Sequence, residues 1–330
     1  MNLVTGATGH IGNVLVRKLL DAGQSVRALI LPGEDTLPLQ GLEVEQVPGD
    51  VLDPPSLRRA MHGVSRVFHL AGIISILPGK NPLLRRVNVE GTKNVLAEAK
   101  RSGVERLIYT SSIHAIQRAP QGVRIDERLP FDPDNPVGEY DRSKAEATLA
   151  VIEAAREGLD TVILCPTGVV GPNDFRRSEL GQLIEDCVDE KPQFYIDGAY
   201  DFVDVRDVAD GILQAAEKGR SGETYILSGE KISVRRIIDL LWEMTGRRFV
   251  RIHIPFSVAR FAARFTPIIY IRRKIKPRFT SYSLATLRSN SEISHEKATR
   301  ELNYHPRSMM ETLTDTVAWF RTQKPAPEFR

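Results

Sequence analysis

An α/β fold with a doubly wound parallel sheet, followed by a smaller and mostly helical C-terminal domain, is predicted by three features of this 330-residue sequence. Short apolar runs alternate with stretches of helical periodicity over residues 1–165. Each connection is long enough for a helical crossover, and such crossovers are right-handed. Three glycines follow the first apolar run, as is typical of the Rossmann form of this fold.

The glycine turn occupies residues 5–12, Thr-Gly-Ala-Thr-Gly-His-Ile-Gly. Gly6 permits a sharp turn, Gly9 lets the backbone approach a pyrophosphate, and Gly12 lets a helix pack closely on the strand. The free amides at the helix start then face an anion. An ordinary strand-to-helix turn is the alternative. The apolar residues at helical spacing that follow, and Gly23 at the helix end, favour a dinucleotide-binding turn.

The remaining elements follow from periodicity and from glycine and proline positions. Further strands are predicted at 25–31, 41–47, 66–72, 106–112 and 161–165, and helices at about 55–62, 82–102, 137–156, 209–218, 234–245 and 310–320. Residues 1–165 are expected to form the dinucleotide-binding domain. Residues 166–330 are expected to form the substrate-binding domain, except that 201–227 returns to the first.

Composition places the chain among ordinary globular proteins, with 42% apolar and 26% charged residues. No stretch of about eighteen apolar residues is present, so a membrane span is not predicted. The glycine turn begins at the fifth residue, which leaves no room for a leader peptide, and we expect a cytoplasmic location. Cys165 and Cys187 lie in no metal-binding or redox spacing. We therefore expect buried structural thiols and no metal site.

Charge is unevenly distributed along the chain. Residues 244–291 contain eleven Arg or Lys and no Asp or Glu, although the net charge of the whole chain is only +3. Within this segment Val258, Phe261 and Phe265 form an apolar stripe before the basic cluster at 272–274. Three interpretations stay open: a core-packed helix, a lid over a hydrophobic substrate with an anionic group, or peripheral membrane contact through 256–278. Nucleic acid is not an expected partner, and a homodimer is one alternative for the oligomeric state.

A tyrosine and a lysine at i and i+4, Tyr140 and Lys144, share one face of the predicted helix 137–156. An ammonium close to a phenol lowers the tyrosine pKa, which makes Tyr140 a usable acid or base. Such a pair also occurs on solvated helix faces. The hydroxyl-rich strand end Thr110-Ser111-Ser112 favours the catalytic interpretation, because it projects into the same cleft as the glycine turn.

Together these motifs resemble the extended short-chain dehydrogenase/reductase family. The similarity is greatest to the branch that contains 3β-hydroxysteroid dehydrogenases, dihydroflavonol reductases and NAD-dependent epimerase/dehydratases. It covers nearly the whole chain, and it includes the stretches at 88–95, 166–172, 202–208 and 301–306.

The resemblance implies a catalytic set of Ser112 as hydrogen-bond donor to the reacting oxygen, Tyr140 as acid and base, and Lys144 as its cationic neighbour. It also implies cofactor contacts at Gly6, Thr8, Gly9, His10, Ile11, Gly12, Asp50, Val51, Leu70, Ala71, Gly72, Asn88, Thr110, Tyr140, Lys144, Pro166, Thr167, Gly168 and Val169. A structural role for Asn88 is an equal alternative. His69 and His10 are expected to be hydrogen-bonded supporting residues rather than ligands.

The expected cofactor is NAD(P), with NAD slightly favoured. Relatives that prefer NADP often carry Arg where this chain has Leu31, and those that prefer NAD often carry Asp near Ile30. An unpaired 2′-phosphate costs more than hydroxyls left to water, which favours NAD. Arg27 and Arg58 are alternative partners for a 2′-phosphate.

Three functions are compatible with this reading. The first is an NAD(P)-dependent oxidoreductase that interconverts a secondary alcohol and a ketone on a small hydrophobic substrate by hydride transfer. The second is an NDP-sugar epimerase or dehydratase, which would be expected to carry an acidic residue after the strand-end serine, where this chain has Ile113 and His114. The third is a non-catalytic dinucleotide-sensing protein, which has no need to keep Ser112, Tyr140 and Lys144.

Overall fold

A seven-stranded parallel sheet dominates the computed structural model, which describes residues 1–75, 81–263 and 280–323. Its strand order is β10-β6-β5-β4-β1-β2-β3, and every neighbouring pair is parallel. The order reverses at β1, so β1 and β4 flank the point where a dinucleotide binds in folds of this kind. The strands are β1 Asn2–Thr5, β2 Val26–Ile30, β3 Glu45–Pro48, β4 Arg66–His69, β5 Arg106–Thr110, β6 Thr161–Pro166 and β10 Thr224–Leu227.

Helices cover both faces of this sheet, which confirms the predicted doubly wound α/β fold. One face carries α1 (His10–Asp21) and α7 (Val205–Lys218), packed against each other. The other carries α2 (Pro54–Ala60), α4 (Thr92–Arg101) and α5 (Glu139–Arg156). Apolar side chains at helical spacing, such as Val14 and Leu15 of α1, fill the layer between helix and sheet.

One predicted helix differs from the structure. The helix predicted over 82–102 is interrupted: α3 (Pro82–Arg85) passes through a wide π-type turn at Arg86–Gly91 before α4 begins. In the family-like stretch 202–208, β9 ends at Asp204 and α7 starts at once. The Asp204 carboxylate accepts a hydrogen bond from the Arg206 amide at 2.7 Å and so caps this helix.

The C-terminal part combines helices with two small sheets. One sheet has the order β11-β9-β7 and the other pairs β12 with β8. Its core consists of apolar side chains such as Ile184, Ile238 and Leu313. The elements are β7 Gly168–Val170, α6 Glu179–Val188, β8 Gln193–Tyr195, β9 Ala199–Asp204, β11 Glu230–Ser233, α8 Val234–Met244, β12 Arg251–His253, α9 Phe256–Ala262, α10 Ser281–Leu287, α11 Glu296–Leu302 and α12 Met309–Thr322.

Helix α9 lies in the acid-free segment, and its apolar residues do not all face a core. Val258 is 56% exposed and Phe261 66% exposed, whereas Ala259 is buried. The core-packed interpretation is therefore wrong for Val258 and Phe261. Phe265, Pro267 and the basic cluster at 272–274 lie outside the described residues.

Two further expectations concern the chain as a whole. Cys165 and Cys187 are both buried free thiols, as predicted. Among the residues that the structure describes, no helix is both long and apolar enough to cross a bilayer.

Candidate active site

The glycine turn joins β1 to α1 at the carboxyl end of the sheet. Gly6 has a φ of +71°, and a Cβ on it would lie 2.7 Å from the amide nitrogen of Ala71. A Cβ on Gly12 would lie only 2.1 Å from the carbonyl oxygen of Gly6. Both positions therefore require glycine, one for its backbone conformation and the other for close packing. The first amides of α1, from His10 onward, have no partners within the helix, an arrangement that favours an anion.

A loop from the C-terminal part, residues 171–176, is fastened across this turn. His10 Nε2 hydrogen-bonds to the Pro172 carbonyl at 3.0 Å. Asn13 Nδ2 donates to the carbonyls of Gly9 and Asn173, at 2.8 and 3.1 Å. His10 thus holds a backbone carbonyl, in agreement with its expected supporting role.

His69, at the end of β4, supports the glycine turn through hydrogen bonds to Thr5 and Thr92. Its Nδ1 lies 2.7 Å from Thr5 Oγ1 and its Nε2 lies 3.0 Å from Thr92 Oγ1. The side chain is completely buried, and burial lowers the pKa of His69 to about 3, so the ring is neutral. Thr5 Oγ1 also accepts a hydrogen bond from the Ala71 amide at 3.2 Å. His69 is therefore a satisfied supporting residue, as expected from the sequence.

Asn88, in the wide turn before α4, fixes the segment that follows β4. Its Oδ1 accepts from the Ile73 amide at 2.8 Å, while Nδ2 donates to the Ile73 carbonyl and to Ser143 Oγ, each at 3.0 Å. A Cβ on Gly72 would lie 3.2 Å from Asn88 Oδ1. These contacts support the structural alternative for Asn88, which orients Leu70-Ala71-Gly72 and joins them to α5.

The other predicted cofactor contacts also lie at the carboxyl edge of the sheet. Asp50 and Val51 follow β3, and the Asp50 carboxylate accepts from the Leu52 amide at 2.8 Å. Pro166 ends β6, and the Thr167 amide donates to the Leu227 carbonyl at 3.2 Å. Gly168 and Val169 begin β7, where they pair with β9. Binding by these residues remains a prediction.

Ser112, Tyr140 and Lys144 are brought together next to the end of β5. Ser112 is buried two residues beyond the strand, and its hydroxyl accepts from the His114 amide at 3.2 Å and lies near enough to Tyr140, in the first turn of α5, to affect the pKa of that phenol. Lys144, one turn further along α5, is also buried and donates from Nζ to the Thr110 carbonyl at 2.7 Å. The strand end and one helix face therefore supply a hydroxyl, a phenol and an ammonium group at one place.

The pKa of Tyr140 is shifted in the opposite direction to the one expected from the sequence. Loss of solvation raises the pKa of Tyr140 to about 12, against the opposing effect of the nearby Ser112 hydroxyl. Burial lowers the pKa of Lys144 to about 7, so its positive charge is itself disfavoured. Its Nζ is directed to a backbone carbonyl, and the predicted lowering of the tyrosine pKa is not seen.

A second cluster, which the sequence did not reveal, borders Tyr140 on its other side. The His114 ring lies edge-on to Tyr140 with 6.3 Å between centroids, and His114 Nε2 is 3.0 Å from Tyr200 Oη. Tyr282 Oη donates to Asp141 Oδ1 at 2.6 Å, and Arg118 lies 3.6 Å from the other carboxylate oxygen. We call His114, Arg118, Asp141, Tyr200 and Tyr282 the aromatic cluster. Apart from Asp141, beside Tyr140, no local motif marks its members.

Arg27 and Arg58, the alternative partners suggested for a 2′-phosphate, are bonded to other groups of the protein. Arg27 donates to the Ala60 carbonyl at 2.7 Å and to that of His62 at 2.8 Å, near the amino end of β2. Arg58 forms a two-bonded ion pair with the buried Glu98. Both guanidinium groups are committed to structural partners.

The residues present fit a bound dinucleotide. The turn has two positions where any side chain would clash with the backbone, and it leads directly into helix amides that favour a diphosphate. In the described ranges, no group of three His, Cys, Asp or Glu side chains is placed to hold a metal ion.

Comparison with known proteins agrees with this arrangement. Residues 2–228 match the model of the NAD dependent epimerase/dehydratase family. Sterol demethylase protein B of Methylococcus capsulatus is 40% identical over 97% of this chain and 98% of its own length. The 4-hydroxy-2-methyl-3-oxo-4-farnesyl-3,4-dihydroquinoline-1-oxide ketoreductase of Stigmatella aurantiaca is 31% identical over 91% of this chain and 90% of its own.

Among solved structures, gox2253 is similar with a TM-score of 0.84 and 33% identity over 98% of both chains. The fold, the glycine turn and the extent of these matches lead to one assignment. The chain belongs to the NAD-dependent epimerase/dehydratase family, that is, to the extended short-chain dehydrogenase/reductases, which are enzymes with a nicotinamide dinucleotide cofactor.

Proposed function

We propose that this enzyme interconverts a secondary alcohol and a ketone on a hydrophobic substrate. The observation that carries the proposal is the meeting of Ser112, Tyr140 and Lys144 at the end of β5, beside the glycine turn. When bound, the nicotinamide supplies or accepts the hydride. The reacting oxygen then needs a hydrogen-bond donor and a group that moves one proton.

Ser112 and Tyr140 meet these two needs. Ser112 is buried and lies next to Tyr140, so a carbonyl oxygen placed between the two hydroxyls would accept a hydrogen bond from each. With a pKa of about 12, Tyr140 is protonated at neutral pH. It is therefore ready to donate its proton to an oxygen that becomes an alkoxide during reduction, and it takes the proton back during oxidation.

Lys144 supports this step through its position. Its Nζ is anchored on the Thr110 carbonyl, one turn along the helix from the phenol. Because its pKa of about 7 lies near neutrality, a small change of local charge is enough to protonate it. We assign it to hold the nicotinamide ribose and to supply positive charge when Tyr140 loses its proton.

A hydrophobic ring system is the proposed substrate class. One relative is named as a sterol demethylase protein and another as a ketoreductase of a farnesylated ring compound. The epimerase or dehydratase alternative is less well supported, because Ile113 and His114 follow Ser112 where an acidic residue is expected. An imidazole carries no negative charge in either protonation state, so His114 does not replace that acid.

The test is a turnover screen of the purified full-length protein. Sterols and other cyclic alcohols are supplied with NAD or NADP, and the corresponding ketones with the reduced forms. A net change in nicotinamide absorbance supports the proposal. Conversion of a sugar nucleotide without any net change would contradict it and favour the epimerase.

The acid-free segment has a separate proposed role as a lid over this substrate. The exposed apolar residues Val258 and Phe261 lie at its start, and the basic cluster at 272–274 follows in the sequence. Replacing Arg272, Arg273 and Lys274 with Gln should raise KM for an anionic substrate and weaken its salt dependence. If only binding to anionic vesicles falls, the segment contacts a membrane instead.

A further inference from the structure

An ion pair between Glu34 and Arg176 spans the mouth of the glycine turn. Arg176 Nη2 donates to Thr8 Oγ1 at 2.6 Å and pairs with one oxygen of the Glu34 carboxylate. The other carboxylate oxygen accepts from the Leu31 amide at 3.3 Å. The pair therefore connects the turn to the first residue beyond β2.

This position corresponds to the adenosine ribose of a bound dinucleotide. In a doubly wound sheet the diphosphate lies on the turn after the first strand, and residues after the second strand face the ribose hydroxyls. Thr8 belongs to that turn and Leu31 directly follows the second strand. The inference thus rests on the dinucleotide binding assumed in the proposed function.

The two members of the pair favour different cofactors. A carboxylate at this point hydrogen-bonds the ribose hydroxyls of NAD, whereas a guanidinium pairs with the 2′-phosphate of NADP. The carboxylate is the more enclosed group, with 20% of the Glu34 side chain exposed against 52% for Arg176. It is also anchored on the sheet through the Leu31 amide.

We propose that Glu34 selects NAD over NADP by pairing with Arg176 and by placing its carboxylate where a 2′-phosphate would lie. The phosphate would meet a like charge, and the guanidinium that could neutralise it is already bound to Glu34. Selection of NAD over NADP thus depends on Glu34, three positions beyond Leu31, and on Arg176, in a loop more than 140 residues further along the chain.

The position of Arg176 does not depend on Glu34 alone. Its loop is held to the turn by the bonds from His10 to Pro172 and from Asn13 to Asn173. Arg176 itself has Thr8 Oγ1 as a second acceptor. When the carboxylate is removed, the guanidinium should therefore stay beside the ribose and pair with a 2′-phosphate.

The experiment measures dissociation constants for NADH and NADPH, without substrate, from the fluorescence of the reduced nicotinamide. Wild type should bind NADH at least about tenfold more tightly than NADPH. Glu34→Gln should tighten NADPH binding at least about tenfold, as expected for one new charge-assisted bond, and change NADH binding less than about threefold. Adding Arg176→Gln to this variant should abolish the gain.

Two matched controls remove the same charges one residue away. Asp35→Asn alters a carboxylate that accepts from the Leu37 amide, and Arg177→Gln alters a guanidinium that pairs with Glu185. Neither should change the ratio of the two dissociation constants. Thermal unfolding of every variant shows whether it is folded.

Three results would overturn the inference while leaving the proposed function intact. They are a wild-type preference for NADPH, an unchanged ratio in Glu34→Gln, and a gain in NADPH binding that survives Arg176→Gln. A folded wild-type protein that binds neither nucleotide would instead overturn the proposed function itself, and the inference with it.

Discussion

The two sides of Tyr140 are built in different ways. On the cofactor side, the glycine turn, the strand ends and Lys144 come from compact motifs, each contained within a few residues of sequence. On the other side, the aromatic cluster gathers His114, Asp141, Tyr200 and Tyr282 from four separate elements. Local motifs therefore build one side of Tyr140, whereas contacts between segments distant in sequence build the other.

Tyr140 lies between the two sides, and its replacement should have the largest effect. Tyr140→Phe keeps the ring and removes the hydroxyl that moves the proton. Turnover should fall by about a hundredfold to ten-thousandfold, the range for a positioned acid or base. Binding of NADH, measured by fluorescence, should change little.

Tyr195→Phe is the matched control, because it removes a phenol hydroxyl from β8 in the C-terminal part. It should leave turnover near the wild-type value. Near-normal activity of folded Tyr140→Phe would mean that another group moves the proton. Tyr140 would then not be the acid and base that lies between the cofactor side and the aromatic cluster.

The aromatic cluster should have a smaller effect, mainly on stability and on substrate binding. Tyr282→Phe removes the 2.6 Å hydrogen bond to Asp141, whose carboxylate is completely buried. Leaving a buried acceptor without its donor costs about 1 to 3 kcal/mol of the free energy of unfolding. Urea unfolding measures this loss, with Tyr195→Phe again as the control.

The same variant separates the two sides of Tyr140 kinetically. If the aromatic cluster faces the substrate, KM for the substrate should rise, while the dissociation constant for NADH stays the same. An equal weakening of NADH binding would show that the two sides are not independent.

On the cofactor side, His69 should make stability depend on pH. Its pKa is about 3 in the folded protein and about 6.5 in the unfolded chain, so the unfolded state binds more protons between these values. Stability should therefore fall as the pH drops below about 6.5. The loss reaches about 2 kcal/mol at pH 5.

His69→Gln removes the titrating ring, and its free energy of unfolding should vary less between pH 7 and pH 5. The comparison uses the slope with pH rather than the absolute stability, because the substitution also disturbs the bonds to Thr5 and Thr92. A slope equal to that of wild type would show that other groups cause the acid sensitivity.

Sequence reasoning succeeded where structure follows from local rules. The alternation of strands and helices predicted the sheet, and the spacing of Gly6 and Gly12 predicted a turn that admits no side chain at either position. A strand end and a one-turn helix spacing predicted that Ser112, Tyr140 and Lys144 lie in one cleft, and the structure places them side by side, while their catalytic roles remain a proposal. These signals are carried by neighbouring residues, so a single sequence contains them.

What the sequence did not show depends on contacts between distant segments. Tyr282 meets Asp141 across 141 positions, and Arg176 meets Glu34 across 142. The pKa of Tyr140 was predicted in the wrong direction, because spacing reveals the nearby ammonium but not the burial of both groups. Loss of solvation is a property of the folded surroundings, which no pair of residues defines.

The smallest effect is expected at the exposed face of α9, in contrast to the packed helices around the large sheet. Val258 is 56% exposed, whereas Val151 of α5 is completely buried. Val151→Ala removes buried methyl groups and should cost about 1.5 to 3 kcal/mol of unfolding free energy. Val258→Ala should change it by less than about 0.5 kcal/mol, because surface substitutions seldom exceed that value.

These two substitutions are chemically identical, and both lie on helices, so their difference measures packing alone. Urea unfolding of the two variants decides the matter. A cost at Val258 as large as that at Val151 would mean that α9 is packed against a core, which would restore the core-packed interpretation of the acid-free segment. A small cost leaves its apolar face available for contact with a substrate or a membrane.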